Sequence, residues 1–397
     1  TIVTNDSKTY CEKGFYNTET KTGYAVKNSR IDYENRIFEG DSMYFDNNRS
    51  FASASNNIKV TDTVNNSVVR GHYAEVYKQR DSVFITKRAL AITVQENDSI
   101  YMHADTLMVT GKADHRITRA FRNAKFYKSD MSGKADSVHV DHGSGLTQLI
   151  NLSRLDSKDV FATKRRPVIW NLGNQMTGDT IHIMSNPETE KVDSLLVFDN
   201  AFIINKDTLD AGYNQITGKK LIGLFSEENT LKQVDINKNA ESIYFARNEE
   251  NEMVGIDKSK SGSIRMLFED GEIMELRKLR QVDGKTYPES QFPKNVRKLR
   301  GFDWREEERP KSVDDLFSDD PPLELPVIKG LDDYIPQEEF FDDDMIERIE
   351  QADQSERKKS QDPKKELKAS RNLPKEVQER TSKNPNKKPQ LIEPKRE

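Results

Sequence analysis

Along roughly the first 300 residues, apolar side chains recur at every second position and seldom at three and four apart, the pattern of strands with one buried face. The clearest unit is Asp-Ser/Thr-apolar-x-apolar. It occurs as Asp41-Ser42-Met43-Tyr44-Phe45, Asp81-Ser82-Val83-Phe84-Ile85 and Asp98-Ser99-Ile100-Tyr101-Met102. It returns as Asp136-Ser137-Val138-His139-Val140, Asp179-Thr180-Ile181-His182-Ile183 and Asp193-Ser194-Leu195-Leu196-Val197, with a Glu variant in Glu241-Ser242-Ile243-Tyr244-Phe245. Asp-Ser and Asp-Thr favour turns, because their side chains bond nearby backbone groups. The two outer apolar positions of each unit then share one face, and the middle residue takes the other.

Further alternating runs lie between the units, for example Ala89 to Val94 and Val197 to Ile204, and turn residues such as Asp46-Asn47-Asn48 and Ser132-Gly133 separate them. The units are spaced irregularly, which excludes a strict short-period solenoid. An all-β, antiparallel, folded-over sheet of short strands is expected, with open ends whose strand edges are available for pairing.

Composition sharpens this picture. Of 397 residues, 34% are hydrophobic and 32% charged, and the mean hydropathy is −0.85. A narrow sheet with one inward face per strand accounts for part of that polarity. The remainder lies at the C-terminal end. Ten of the fourteen prolines follow residue 300; residues 301–350 carry 5 basic and 18 acidic residues, and 351–397 carry 14 basic and 8 acidic. Four regions follow: a β-module over 1–145, a second module or continuation over 146–300, an acidic linker with short apolar segments over 301–350, and a basic tail over 351–397. The tail has too little apolar surface to offset the entropy of ordering and reads as disordered. The apolar islands of the linker, Leu316-Phe317 among them, suit either a solvated linker or a segment that orders against the body or a partner. Residues 342–351 have the pattern of a short amphipathic helix.

The overall charge of −5 argues against a general nucleic-acid binder. No apolar run reaches the ~18–20 residues of a membrane-spanning helix. The chain starts at Thr1, so an N-terminal piece is expected to precede it. A single cysteine, Cys11, leaves no internal disulfide and no multi-cysteine zinc site. His139 and His142 fall an odd number of residues apart, so on a strand they face opposite sides, against a metal clip. Nucleotide-loop, zinc-hydrolase and serine-hydrolase motifs do not occur. Basic clusters at 164–166, at 277–280 and at 294–300 read as solvated faces or as contacts for anionic groups. No cofactor is expected.

The order of several segments resembles a known family. Glu12 to Ala25, containing Lys13-Gly14-Phe15-Tyr16-Asn17, is followed by Gly40-Asp41-Ser42-Met43-Tyr44-Phe45-Asp46, then by Val68 to Ala74 and by Asp98 to Leu107, which ends in Ala104-Asp105-Thr106-Leu107. This succession is similar to the OstA-like (organic-solvent-tolerance) family of lipopolysaccharide-transport proteins in its Bacteroidota form. That family is related to a periplasmic bridge protein and to the N-terminal domain of an outer-membrane assembly protein. The resemblance covers roughly 10–290 and is best over 10–110. It implies a folded-over β-jellyroll, or β-taco, in the periplasm, with association with the outer membrane as a further expectation. It also implies a non-enzymatic role in which an apolar groove carries the acyl chains of lipopolysaccharide. Partners would be other jellyroll proteins, joined by edge-strand pairing, and an outer-membrane assembly barrel.

With that resemblance, the groove candidates are Met43, Phe45, Val83, Ile85, Ile100, Met102, Val138, Val140, Ile181, Ile183, Leu195, Val197, Ile243 and Phe245. The same residues would equally serve as the closed core of a structural or adhesive surface protein. An enzyme acting on polysaccharide through paired carboxylates is a third class, disfavoured because the acidic residues sit at repeat positions.

Overall fold

The computed structural model describes residues 1–3, 7–64, 66–94, 99–112, 115–151, 166–171, 173–189, 191–207, 212–228, 230–248, 250, 252–269 and 272–325. The expected helix over 342–351 and the disordered tail over 351–397 lie outside these residues.

The strands are β1 (Ile2–Val3), β2 (Ser7–Tyr10), β3 (Lys13–Asn17), β4 (Thr22–Tyr33), β5 (Arg36–Asp46), β6 (Phe51–Asp62) and β7 (Ser67–Tyr77). Next come β8 (Ser82–Val94), β9 (Ser99–Thr110), β10 (Ile117–Lys128), β11 (Met131–Asp141), β12 (Leu146–Ile150), β13 (Val168–Asn171) and β14 (Asn174–Thr177). The last are β15 (Thr180–Ser185), β16 (Val192–Lys206), β17 (Tyr213–Phe225), β18 (Leu231–Arg247), β19 (Met253–Glu269), β20 (Glu272–Leu279) and β21 (Asp283–Tyr287). They form one 21-stranded sheet, and every pairing is antiparallel, as the alternation predicts. The ladder is unbroken across residue 145: β11 pairs with both β12 and β13, and β16 with both β14 and β15.

A crease folds this sheet over. At the middle of alternate long strands, two consecutive residues adopt left-handed backbone, with φ between +49° and +66°. The pairs are Lys27-Asn28, Asn56-Asn57, Lys87-Arg88, Arg122-Asn123, Asp199-Asn200 and Lys238-Asn239, and Arg280-Gln281 continues the line between β20 and β21. Each pair is an insertion in the ladder. Val26 faces Ser42 and Ser29 faces Gly40, for example, so two residues of β4 oppose Asp41 alone. Such bulges bend a strand sharply. Asn tolerates the left-handed region better than most residues, because its short amide bonds locally. Here the amides are used: Asn57 donates to Asp41 (2.9 Å) and Asn123 to Asp105 (3.1 Å), each on the neighbouring strand, and Asn200 to Asp179 (2.9 Å), just before β15.

This corrects the reading of the repeat. Asp41, Asp136 and Asp179 lie at or beside the crease, mid-way along the fold, and not in hairpin turns; Asp81 does lie in a turn. Small residues predominate on the inner side of the crease, with Ile58, opposite Gly71, as an exception. Ala89, Ala104, Ala124, Ala201 and Ala240 are all at most 1% exposed there. At Gly71 an added Cβ would lie 2.4 Å from Ile85.

Two leaves result. Their inner faces share one apolar core, in which Ile58, Ala91, Met102 and Phe126 from one leaf meet Ile85, Leu107, Val138 and Ile181 from the other. The outer face of the first leaf is covered by the chain after β21, and we call it the strapped leaf. Phe292, Leu299, Phe302 and Trp304 pack on Phe202, Ile204, Ile243, Phe245 and Ile256. Val313, Leu316 and Phe317 pack on Leu90, Ile92, Tyr101 and Tyr127. Two buried glutamines grip the strap backbone. Gln215 donates to Arg297 O (2.7 Å) and accepts from Leu299 N (2.8 Å); Gln175 donates to Asp303 O (2.6 Å) and accepts from Arg305 N (2.7 Å). Arg305 bonds Glu308, Lys134 reaches Glu308, and Lys125 pairs with Asp319 at 3.0 Å. The first part of the acidic region is therefore docked, not a solvated linker. Its carboxylates meet lysines of the strapped leaf, and its apolar islands fill the leaf's outer grooves.

Asn57 also stands between two titratable groups, Asp41 and His72, whose Nδ1 accepts from its backbone N–H at 3.4 Å. Burial raises Asp41 to about 6, against the opposing Asn57 hydrogen bond. Burial, with Arg88 and Lys87 adding to it, lowers His72 to about 4. Asp41 holds its proton more tightly when folded, so its penalty is absent below its ordinary value of ~3.9 and grows as pH rises through about 6. His72 has the opposite sense: stability present above its ordinary value of ~6.5 is lost as pH falls toward 4. Asp41→Asn keeps an acceptor for Asn57. It is expected to raise the melting temperature at pH 7.5 and to change it little at pH 4. Equal shifts at both pH values in thermal melts would exclude this account.

Candidate functional site

Toward β1–β5 the leaves part and leave an open trough of about 900 Å³. Its walls are apolar: Ile31, Phe38, Ile58 and Val60 come from the strapped leaf, and Met43, Phe45, Ala52, Ala54, Ala74 and Val76 from the opposite leaf. Polar and aromatic side chains form the rim, including Tyr16, Tyr33, Tyr44, Tyr77, Lys78 and Lys112. The volume lies in the upper part of the ~300–1,000 Å³ usual for ligand pockets. A second cavity of about 260 Å³ continues between the leaves along β6–β16. Arg36, Val60 and Arg116 belong to both linings.

The fourteen candidate residues fall into four groups. Met43 and Phe45 line the large trough. Val83, Ile85, Ile100, Met102, Val138, Val140 and Ile183 line the second cavity. Ile181, Leu195 and Val197 lie on the same inner face but in closed core, at 0%, 7% and 0% exposure. Ile243 and Phe245 are on the opposite face, beneath the strap. Their facing is a correction to the sequence reading. In β18 the left-handed pair Lys238-Asn239 precedes the unit, so Ala240 and Ser242 turn inward, whereas Met43 and Phe45 follow a crease centred on Asp41. Tyr24 and Phe15, stacked at 5.8 Å, are exposed on the outer face of the unstrapped leaf.

Opposite the crease, ion pairs join the leaves across the seam. Arg36 reaches Asp81 at 3.0 Å, and Arg116 reaches Asp62 at 3.1 Å. Sequence reasoning missed these four residues and the two strap glutamines. The charged ones sit at strand ends, where they look like ordinary turn residues.

The remaining candidates have structural partners. His139 packs edge-on against Phe121, and His142 lies 3.1 Å from Thr118 Oγ1. Among the described residues no three of His, Cys, Asp and Glu gather as a metal site. Of the basic clusters, Lys164 and Arg165 are outside the described residues. Arg166 pairs with Asp179 at 3.0 Å, Arg277 with Glu275 and Lys278 with Asp257. Arg297 and Lys298 lie over Phe292 and Phe302 of the strap. No helix among the described residues is long and apolar enough to cross a membrane.

No family model and no curated protein matches the chain. Among solved structures, the chain is similar to the crystal structure of LptH, the LptA-homologous periplasmic component of the lipopolysaccharide transport device from Pseudomonas aeruginosa. The identity is 7% and the TM-score 0.17, over 34% of this chain and 75% of that one.

Proposed function

We propose that this protein is a non-enzymatic lipid carrier that shelters acyl chains in the trough between its leaves. The observation that carries the reading is the 900 Å³ opening, whose lining is rich in Ile, Val, Met, Phe and Ala, with polar and aromatic side chains beside them. Apolar surface held open to water costs about 25 cal/mol per Å², so an apolar ligand gains by covering it. Apolar contact is non-directional, which suits a ligand that slides. The resemblance of the sequence names the ligand as lipopolysaccharide and the compartment as the periplasm. Among the described residues, β3 and β1 at one end and β20 and β21 at the other have no further strand beyond them. They are the edges through which other jellyroll proteins would continue the trough.

The closed core around Ile181, Leu195 and Val197 favours a second reading, a structural β-repeat protein, for that part of the chain. A photoreactive residue at Met43, with Tyr24 as outward control, separates the two. Incubation of the purified protein with lipid A vesicles and illumination is expected to give an adduct at Met43 and none at Tyr24. No adduct at Met43 in a folded protein would leave the structural reading. An adduct with phospholipid but not with lipid A would keep the carrier and change its cargo.

A further inference from the structure

Arg36 and Arg116 are unusual for the places they occupy. One opens β5 on the strapped leaf and the other precedes β10 on the opposite leaf, yet their side chains are only 10% and 3% exposed. Both guanidinium groups converge on one acceptor, the carbonyl oxygen of Gly111, with Arg116 Nη1 at 2.6 Å and Arg36 Nη2 at 3.3 Å. Gly111 is itself tied to the seam, its N–H donating to Asp81 O at 3.2 Å, and with φ +86° and a Cβ that would lie 2.2 Å from His115 O only glycine fits there. Arg116 Nε is buried and has no hydrogen-bond partner among the described residues. The two carboxylates at hand have other ties: Asp62 accepts from Val64 N (3.1 Å) and Asn35 Nδ2 (3.4 Å), and Asp81 is 41% exposed. The site thus offers more N–H donors than its acceptors use. It lies where both cavities meet, with Lys112 and Lys78 on the rim beside it.

We propose that this cross-seam arginine pair recognises the phosphoryl headgroup of the amphiphile whose chains occupy the trough. The proposal rests on the carrier reading and adds a polar determinant to it. Guanidinium forks bind phosphoryl oxygens through paired, charge-assisted hydrogen bonds. A tetrahedral oxyanion presents oxygens in two directions, so forks from opposite leaves engage it together; a planar carboxylate satisfies one fork. The oxyanion takes the place of Asp81 and Asp62 as partner. The seam contacts loosen as the headgroup binds, and acyl chains enter from the open side.

The test compares lipid A with the same lipid after enzymatic dephosphorylation, titrated against the full chain. The unaltered protein is expected to prefer the phosphorylated form by about tenfold or more, and Arg116→Gln to cut that preference to about threefold or less. Because Arg116→Gln leaves Asp62 uncompensated, Asp62→Asn serves as the second variant. It frees Arg116 and is expected to tighten the phosphorylated lipid severalfold without changing the dephosphorylated one. A pure structural clasp would instead lose both lipids equally in Asp62→Asn. Equal affinity of the unaltered protein for the two lipids overturns the headgroup site and leaves the trough standing. Binding of neither lipid overturns the carrier reading itself. Displacement of lipid by millimolar inorganic phosphate would assign the arginines to free phosphate and overturn the headgroup assignment.

Discussion

A chain ending at Tyr287 is expected to aggregate, whereas one ending at residue 325 stays soluble. The strap between these points covers two apolar patches on the outer face of the strapped leaf. One holds Phe202, Ile204, Ile243, Phe245 and Ile256, and the other Leu90, Ile92, Tyr101 and Tyr127. Within the strap, Val313 and Leu316 are 1% and 0% exposed, and Phe292 is 3% exposed. Each such side chain contributes about 1.5–3 kcal/mol when buried, and the patches left behind would be large contiguous apolar surfaces of the kind that drive association. Gln175 and Gln215 would exchange their strap partners for water, a net loss of about 0.5–1.5 kcal/mol per hydrogen bond. Light scattering and a hydrophobic dye compare the two lengths directly. A monomeric, dye-negative protein ending at Tyr287 would show that the strap is dispensable. Acid is expected to loosen the same strap. Burial pushes Glu308 up, but bonds and charge from Arg305 and Lys134 outweigh it and hold it at about 2. A lowered carboxyl stabilises above its ordinary value of ~4.3, and that contribution is lost as pH falls toward 2.

The second large effect concerns the trough. Ala54→Trp is expected to reduce lipid capture by about tenfold or more, equivalent to ~1.4 kcal/mol, with the fold intact. Ala54 lies on the inner face between Met43 and Ala74, and its side chain borders empty space. A large ring there fills room that acyl chains would use and needs no displacement of closed core. The same substitution in closed core, where space is absent, would instead overpack by about 1–3 kcal/mol. Tyr24→Trp, on the outer face, is the control and should bind as the unaltered protein does. Undiminished binding by a folded Ala54→Trp protein would place the lipid elsewhere.

Part of this was written in the order of residues. Period-two alternation gave the antiparallel strands, and in twelve of the fourteen candidates the apolar positions do face inward. The crease was legible too, though through a different signal from the Asp-Ser unit. Lys27-Asn28-Ser29, Arg122-Asn123-Ala124, Asp199-Asn200-Ala201 and Lys238-Asn239-Ala240 each place a left-handed pair before a small residue. Gly40-Asp41, Ala104-Asp105 and Gly178-Asp179 stand opposite the first three of them. Taking the Asp-Ser and Asp-Thr units as turns hid the fold line. Ile243 and Phe245 went astray for the same reason, because the inward phase of a strand resets at its bulge and the local pattern carries no record of it.

The sequence by itself determined that this is an antiparallel β-protein with alternating faces, no multi-cysteine site and a sharply different C-terminal region, because these follow from local periodicity and composition. Only the tertiary structure decided which apolar side chains meet empty space and which meet one another, since Met43 and Ile181 have the same local pattern and differ only in how far the leaves stand apart. It likewise decided that Arg36 and Arg116 converge across the seam and that residues 288–320 lie against the strapped leaf. Those contacts join segments as much as 217 residues apart, as His103 and Asp320 are, and no short-range pattern in a chain encodes a distance of that kind.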